Sequence, residues 1–206
     1  MSDNPTGAEN QQERLITLGW VLGFVDGEGC FSIGLTRQAG GVNRKGYRTG
    51  WQVSHSFVVV QGARSLDALK RLREFFGVGA LGFNRRFDNH KEDLRRYVVT
   101  DRFDLREVII PFFMAHPLRT DKQRDFLKFA QCVDLCATGH HLTRGGLADI
   151  VEIMQTMNHQ KPRTELVRIL RGHTPDILAE DEEMVPSAWR HAVNGGNAAA
   201  VRSISD

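Results

Sequence analysis

The stretch that decides the fold is Val21-Leu22-Gly23-Phe24-Val25-Asp26-Gly27-Glu28-Gly29, which runs without a spacer into Cys30-Phe31-Ser32-Ile33-Gly34-Leu35-Thr36-Arg37. Upstream and within it, Leu15, Leu18, Leu22 and Val25 recur at helical spacing, and after it apolar and polar residues alternate as in a strand with one buried face. The pattern predicts a helix that ends in two acidic residues and passes at once into a strand, so a carboxylate hangs at the junction. Carboxylates are disfavoured at a helix C-terminus, where the macrodipole is already negative. A cation is therefore expected beside Asp26 or Glu28. Gly19, Gly23 and Gly27 recur every four residues on one helical face, which lets another backbone approach closely. Two such helices packed face to face would bring their terminal acids together, and adjacent carboxylates repel unless a metal ion lies between them. Asp26-Gly27 also has ordinary turn chemistry, and Asp26 reads as a structural cap or ion-pair partner, with Glu28 as the metal ligand.

Composition narrows the setting. A 206-residue chain that is 41% hydrophobic can bury a sizeable core. There is no run of eighteen apolar residues and no charged-then-apolar leader, so neither a spanning helix nor a secretory signal is expected, and no membrane partner. Three cysteines point to a reducing, intracellular compartment. The net charge of +2 conceals a division: residues 31–102 hold 14 Lys/Arg against 6 Asp/Glu, whereas residues 176–206 hold 2 against 6. Basic charge gathers where strands are expected, as a phosphate-neutralising surface requires. Arg outnumbers Lys by 21 to 6, which hints at a GC-rich gene and a bacterial source.

Periodicity and breakers predict a first helix over Gln11 to Val25, strands over Cys30 to Gln38 and about Tyr47 to Val60, a helix over Ser65 to Phe76 stopped by Gly77 and Gly79, and strands near 80–87 and 94–100. Helices follow at 103–115, 120–136 and 143–157. The order is α-β-β-α-β-β-α with a further helix or two, an α+β fold in which helices back one antiparallel sheet. Residues 1–11 are expected to be a flexible N-terminus, 12–165 the folded domain and 166–206 a partly acidic extension containing Trp189.

Strand parity assigns the faces. Phe31, Ile33 and Leu35 belong with Trp51, Val53, Phe57 and Val59 in the core, leaving Cys30, Ser32, Gly34, Thr36 and Gln38 outward beside Gln52, Ser54, Ser56, Val58 and Val60. Small hydroxyls and amides suit a ribbon lying in the major groove, where Gln reads adenine and Arg reads guanine. Asn84, Arg85, Arg86 and Arg96 extend that face, the basic, glycine-rich connection between the first two strands adds Arg44, and Arg48 follows at the start of the second strand. Gly34 and Gly82 project nothing. His55 falls on the core face and reads as a hydrogen-bonded packing residue. Cys132, Cys136, His140 and His141 have a spacing that could suggest zinc, but cysteines one helical turn apart also pack well as small apolar residues.

Val21 to Gly29 resembles the signature of the LAGLIDADG homing endonucleases, with Glu28 on the metal-binding acid. The resemblance continues through Pro111-Phe112-Phe113, Pro117-Leu118, Thr120, Lys122, Asp125-Phe126, His141-Leu142-Thr143, Gly146-Leu147, Ile150, Ile153 and Met157-Asn158, so about 150 residues, 12 to 162, are covered. The family implies a saddle-shaped antiparallel sheet that binds DNA, with Glu28 and Gly27 as metal positions and Mg2+ as cofactor, two or three ions per dimer. By the same resemblance, Gln61 orients water and Lys122 stabilises the phosphorane. Ser65 stands where relatives often carry a basic residue, and its neighbour Arg64 is the candidate substitute.

A single signature implies a homodimer through Gly19, Leu22 and Gly23 on a pseudo-palindromic site of about 20 base pairs. Further implications are short 3′ overhangs, an intron-encoded origin, and residence in a bacterial cytoplasm or an organelle. A maturase acting on RNA, and a DNA-binding protein that has lost cleavage, are the alternatives of the same fold.

Overall fold

In the computed structural model, which describes residues 5–38, 49–84, 93–158 and 162–172, helix α1 (Pro5–Glu28) gives way to strand β1 (Gly29–Arg37) at the very next residue. Gly29 makes this possible. A Cβ there would meet the Val25 carbonyl oxygen and Cγ1 at 2.7 Å, so any other residue would push the strand off the helix. α1 begins earlier than Gln11. Of the segment expected to be flexible, residues 5–11 are helical and residues 1–4 lie outside the described residues. The buried side of α1 is also narrower than the leucine spacing predicts: Val21 and Val25 are fully buried, Leu18 and Leu22 are half-buried, and Leu15 and Ile16 are 62% and 64% exposed. The reason is reach. Only the last turns of α1 meet the sheet, and residues 10–17 stand clear of it.

The sheet is fully antiparallel in the order β1-β2-β4-β3, built with β2 (Trp51–Gly62), β3 (Ala80–Asn84) and β4 (Leu94–Val99). β2 starts at Trp51 rather than Tyr47 and continues through Gly62, so it carries Gln61 within the strand. β1 pairs with β2 so that Ser32 faces Ser56 and Thr36 faces Gln52; β4 pairs with β2 so that Arg96 faces Val60. One face is the core. Phe31 stacks on Phe57 at 4.9 Å between centroids and meets Phe113, Phe126 and Phe129 within 5.5 Å. Tyr97 is buried there too, its hydroxyl donating to the Val78 carbonyl.

The helices on this face are α2 (Leu66–Phe76), α3 (Arg102–Asp104), α4 (Ile110–Ala115), α5 (Lys122–Ala137), α6 (Arg144–Met154) and α7 (Thr164–Leu170). α2 ends where expected, at Gly77 with φ 68°. The helix expected over 103–115 is interrupted. Residues Leu105–Ile109 form a wider π-helical turn in which the Ile110 N–H reaches back to the Leu105 carbonyl. Pro111 follows immediately and has no N–H to give, which removes the next regular helical bond. The core runs past residue 165, for Leu166 and Leu170 of α7 are buried in it. A division at 165–166 therefore falls inside α7, and the acidic segment with Trp189 lies outside the described residues.

Candidate active site and nucleic-acid interface

The C-terminus of α1 is held by the loop that leads into α5. The Asp26 carboxylate accepts hydrogen bonds from the Arg119 N–H (2.9 Å), the Thr120 N–H (3.3 Å) and the Thr120 hydroxyl (2.6 Å). Burial pushes the Asp26 carboxyl up, but these bonds, with the charge of Lys122, outweigh it and hold the group below its ordinary value. Thr120 Oγ1 in turn accepts from the Lys122 N–H at 3.3 Å. That clamp presents the Lys122 ammonium to the end of α1, where Nζ donates to the carbonyls of Val25 (3.0 Å) and Gly27 (3.1 Å). Here is the cation that the helix terminus requires, answering both the macrodipole and the two acids. Burial pulls the Lys122 ammonium below the ordinary lysine range, against the opposing influence of Cys30, Asp26 and Glu28.

Glu28 is exposed and makes no hydrogen bond or ion pair with any described residue, though Lys122 feels its charge. Gln61 stands at the same end of the sheet. The register places Gly29 opposite Val59, so Gln61 lies two residues beyond the start of β1, half-buried and opposite Arg95 of β4. Arg64 is exposed in the 3₁₀ turn Ala63–Ser65 that follows β2. The structure thus brings Glu28, Gly27, Lys122, Gln61 and Arg64 to one end of one sheet. Thr120 and Arg119 were not singled out by sequence as Asp26 partners, although Thr120 lies in the stretch that resembles the family; a backbone clamp leaves no compositional mark.

The polar set occupies the outward face as parity demands. Thr36, Gln38, Gln52, Ser54, Ser56, Asn84 and Arg96 are half-exposed along it. Before any ligand arrives, they pair with one another: Gln38 Nε2 donates to Gln52 Oε1 at 3.1 Å, and the hydroxyls of Ser32 and Ser56 lie 3.0 Å apart. Ser32 departs from expectation, because it is only 4% exposed and presents its hydroxyl to Ser56 rather than outward. Arg96 is pulled below the usual arginine range by burial, and neither its Nε nor the Thr36 hydroxyl has a partner among the described residues. Arg44, Arg48, Arg85 and Arg86 lie outside the described residues. A contact that parity did not anticipate is Arg95, whose guanidinium lies 3.5 Å from the ring centroid of exposed Phe83.

On the remaining faces, Gly19, Gly23 and Gly27 have open space where a Cβ would stand, and they lie roughly opposite Val21 and Val25 around α1. Leu22 is partly committed to its own core. His55 is buried, yet its Nδ1 has no partner among the described residues, contrary to the hydrogen-bonded packing role expected of it. Burial, with Arg102 and His141 nearby, lowers its pKa to about 4. Cys132 and Cys136 are buried, His140 bonds to Asp149 at 3.2 Å, and among the described residues no three His, Cys, Asp or Glu side chains converge on a metal position.

The sequence profile of the LAGLIDADG endonuclease family matches residues 21–133. The chain is 33% identical over 158 residues to "Probable intron-encoded endonuclease 3" of Neurospora crassa, a match covering 76% of this chain and 27% of that protein. It spans about a quarter to a half of the length of the curated relatives it matches. Among solved structures it is similar to the homing endonuclease I-TnaI, at 37% identity and a TM-score of 0.61, over 76% of this chain and 97% of that one. It is also similar to the I-SmaMI LAGLIDADG homing endonuclease bound to cleaved DNA, at 28% identity and a TM-score of 0.61, over 80% of this chain and 51% of that one. I-SmaMI has also been solved on its uncleaved DNA target in the presence of calcium ions. With the helix–strand junction, the antiparallel sheet and a profile match over residues 21–133, the chain belongs to the LAGLIDADG endonuclease family.

Proposed function

We propose that this chain is a site-specific homing endonuclease that works as a homodimer and makes a magnesium-dependent double-strand cut in a long pseudo-palindromic DNA target. One observation carries the reading. At the end of a polar sheet face, the Glu28 carboxylate bonds to no described residue, and beside it the partly desolvated Lys122 ammonium is locked onto the last carbonyls of α1. An acid placed among phosphates is unfavourable for a protein that only binds DNA, and it becomes useful once a cation lies between the two.

Within one chain the fit to magnesium is partial, consisting of the Glu28 carboxylate and the Gly27 carbonyl, which has a second lone pair beside the one given to Lys122. Magnesium is commonly held by one or two carboxylates and completed by phosphate oxygens and water. Glu28 from each of two subunits, with the scissile phosphates, would complete such positions, two or three ions to the dimer. Bound there, the ion supplies an activated water and offsets charge on the phosphorane.

The other roles belong to the chain. An ammonium has three donors, and Lys122 spends two on α1, which leaves one for a phosphate oxygen. The Gln61 amide can accept from and donate to a water, which suits it to orienting the nucleophile. Arg64, exposed just after β2, supplies positive charge at the same end of the sheet.

The homodimer follows from α1. Its glycine face is open and roughly opposite the core, and Leu15 and Ile16 are exposed apolar residues on the turns that extend past the sheet. Short 3′ overhangs, an intron-encoded origin and residence with the target DNA, in an organelle or a bacterial cytoplasm, complete the reading. Selection of cleavable sites from a randomised DNA library with magnesium tests it: recovery of pseudo-palindromes of about 20 base pairs is expected. Failure to recover any cleaved site, with RNA bound in preference, would replace the reading with the maturase.

A further inference from the structure

The outward face of the sheet is polar over the outer halves of β1 and β2 and largely apolar toward the α1–β1 junction. Across all four strands the register aligns Cys30 with Val58, Val58 with Val98, and Val98 with Ala80, a continuous row in which only a thiol has any hydrogen-bonding capacity. Val60, one position further along the outward face of β2, widens the row into a band. On one side the band meets the Ser32–Ser56 pair; on the other, Arg96 stands opposite Val60 and the last row sets Asn84 beside Leu94. Cys30, Val58, Val60 and Val98 are half-exposed and Ala80 is exposed, so the row is accessible. It lies at the catalytic end of the saddle, because Gly29 and Val59 are the adjacent pair and Glu28 immediately precedes Gly29.

Strand propensity alone does not account for the row. Threonine has the same branched shape and suits an exposed strand face as well as valine does, with a hydroxyl in place of one of the two methyl groups left in water. The row is continuous with the polar face that fits DNA, within the segment of the chain that carries its basic surplus. In the major groove the apolar feature available to such side chains is the C5-methyl group of thymine.

We infer that the chain reads thymine methyl groups in the few base pairs nearest each cut, through Val58, Val60 and Val98, and that hydrogen-bonding readout falls to Gln38 and Gln52 on one side and to Arg96 and Asn84 on the other, Arg96 standing in the same row as Val60. This inference rests on the nuclease reading and gives it a specificity. The partner is double-stranded DNA with A·T pairs at these positions in both half-sites.

The test uses the full chain and a cleavable site recovered from a randomised library with magnesium. Replacing thymine by deoxyuridine removes only the C5 methyl. At the pairs next to the cuts, each such replacement should weaken binding about fourfold, the value of one buried aliphatic carbon. In Val58→Ser and Val98→Ser the preference for thymine over deoxyuridine should fall to about one at a single position per half-site, a ratio read within each variant. Should either variant fail to fold, the deoxyuridine series on the unaltered protein decides by itself. Equal binding of thymine and deoxyuridine at every pair next to the cuts, or recovery of G·C pairs there in both half-sites, would overturn the inference while leaving the nuclease reading intact. Absence of any cleaved site would overturn the nuclease reading first.

Discussion

At the scale of single residues, the junction between α1 and β1 concentrates the chemistry. Glu28→Gln keeps the shape of the side chain and removes its charge, so it should abolish cleavage while DNA binding stays intact or tightens, since an anion facing phosphates is gone. Cleavage at a tenth of the unmodified rate or more in a magnesium assay would sink Glu28 as the metal ligand. His55 makes a separate prediction about stability. Its pKa is about 4 in the fold against an ordinary 6.5, because burial, Arg102 and His141 outweigh the opposing pull of Asp101. A histidine held neutral in the fold contributes stability that is fully present above about pH 6.5 and is lost as pH falls toward 4. The loss attributable to His55 between pH 7 and 4.5 should be about 2–3 kcal/mol, by the conversion of roughly 1.4 kcal/mol per unit. Urea melts at both pH values on the protein and on His55→Gln would check this, for the variant should lose most of that pH dependence. An unchanged slope would mean that another group carries it.

At the scale of elements, the sheet face is proposed for base readout and the open side of α1 for dimerisation. Arg96 stands opposite Val60 and Gly82 on the outward face with a half-buried stem. Arg96→Ala should cost about 1–3 kcal/mol in binding and relax preference at one position of each half-site, as measured by competition among single-base target variants. A loss spread evenly over all sequences would make Arg96 a phosphate contact instead. On α1, no atom of the described residues lies within 4 Å of a Cβ built at Gly23, so Gly23→Val meets no clash among them. Its effect should fall on whatever approaches that face. Subunit stability in urea should change little while dimerisation and cleavage collapse, whereas retention of both would remove α1 from the interface.

At the scale of the whole molecule, the chain carries one signature junction, and the proposed metal site needs a carboxylate from a second copy. Sedimentation should therefore find a dimer at micromolar concentration. A monomer that still cuts both strands of a site would refute the shared active site. Binding should also weaken steeply with added salt, because the basic surplus over residues 31–102 works by releasing counterions from phosphates. A flat salt dependence would show that the sheet does not lie on the duplex.

By itself, the sequence determined the elements and their faces. Helical spacing before Asp26, strict alternation after Gly29 and glycines at Gly77 and Gly79 are local signals, because backbone geometry and strand parity act over a few residues. It also marked Glu28, Gln61 and Lys122, since their residue types sit in a recognisable pattern. The tertiary structure decided what depends on distant partners. Asp26 and Thr120 are 94 residues apart, and only folding brings them to 2.6 Å, turning an acid unwelcome at a helix end into the clamp that delivers Lys122. It buried Ser32 against Ser56, left His55 Nδ1 without a partner among the described residues and exposed Leu15 and Ile16, because burial depends on which elements overlap rather than on spacing along one of them. The valine row exists only in the register of four strands, for a residue's neighbours across a sheet are set by pairing and not by its place in the chain.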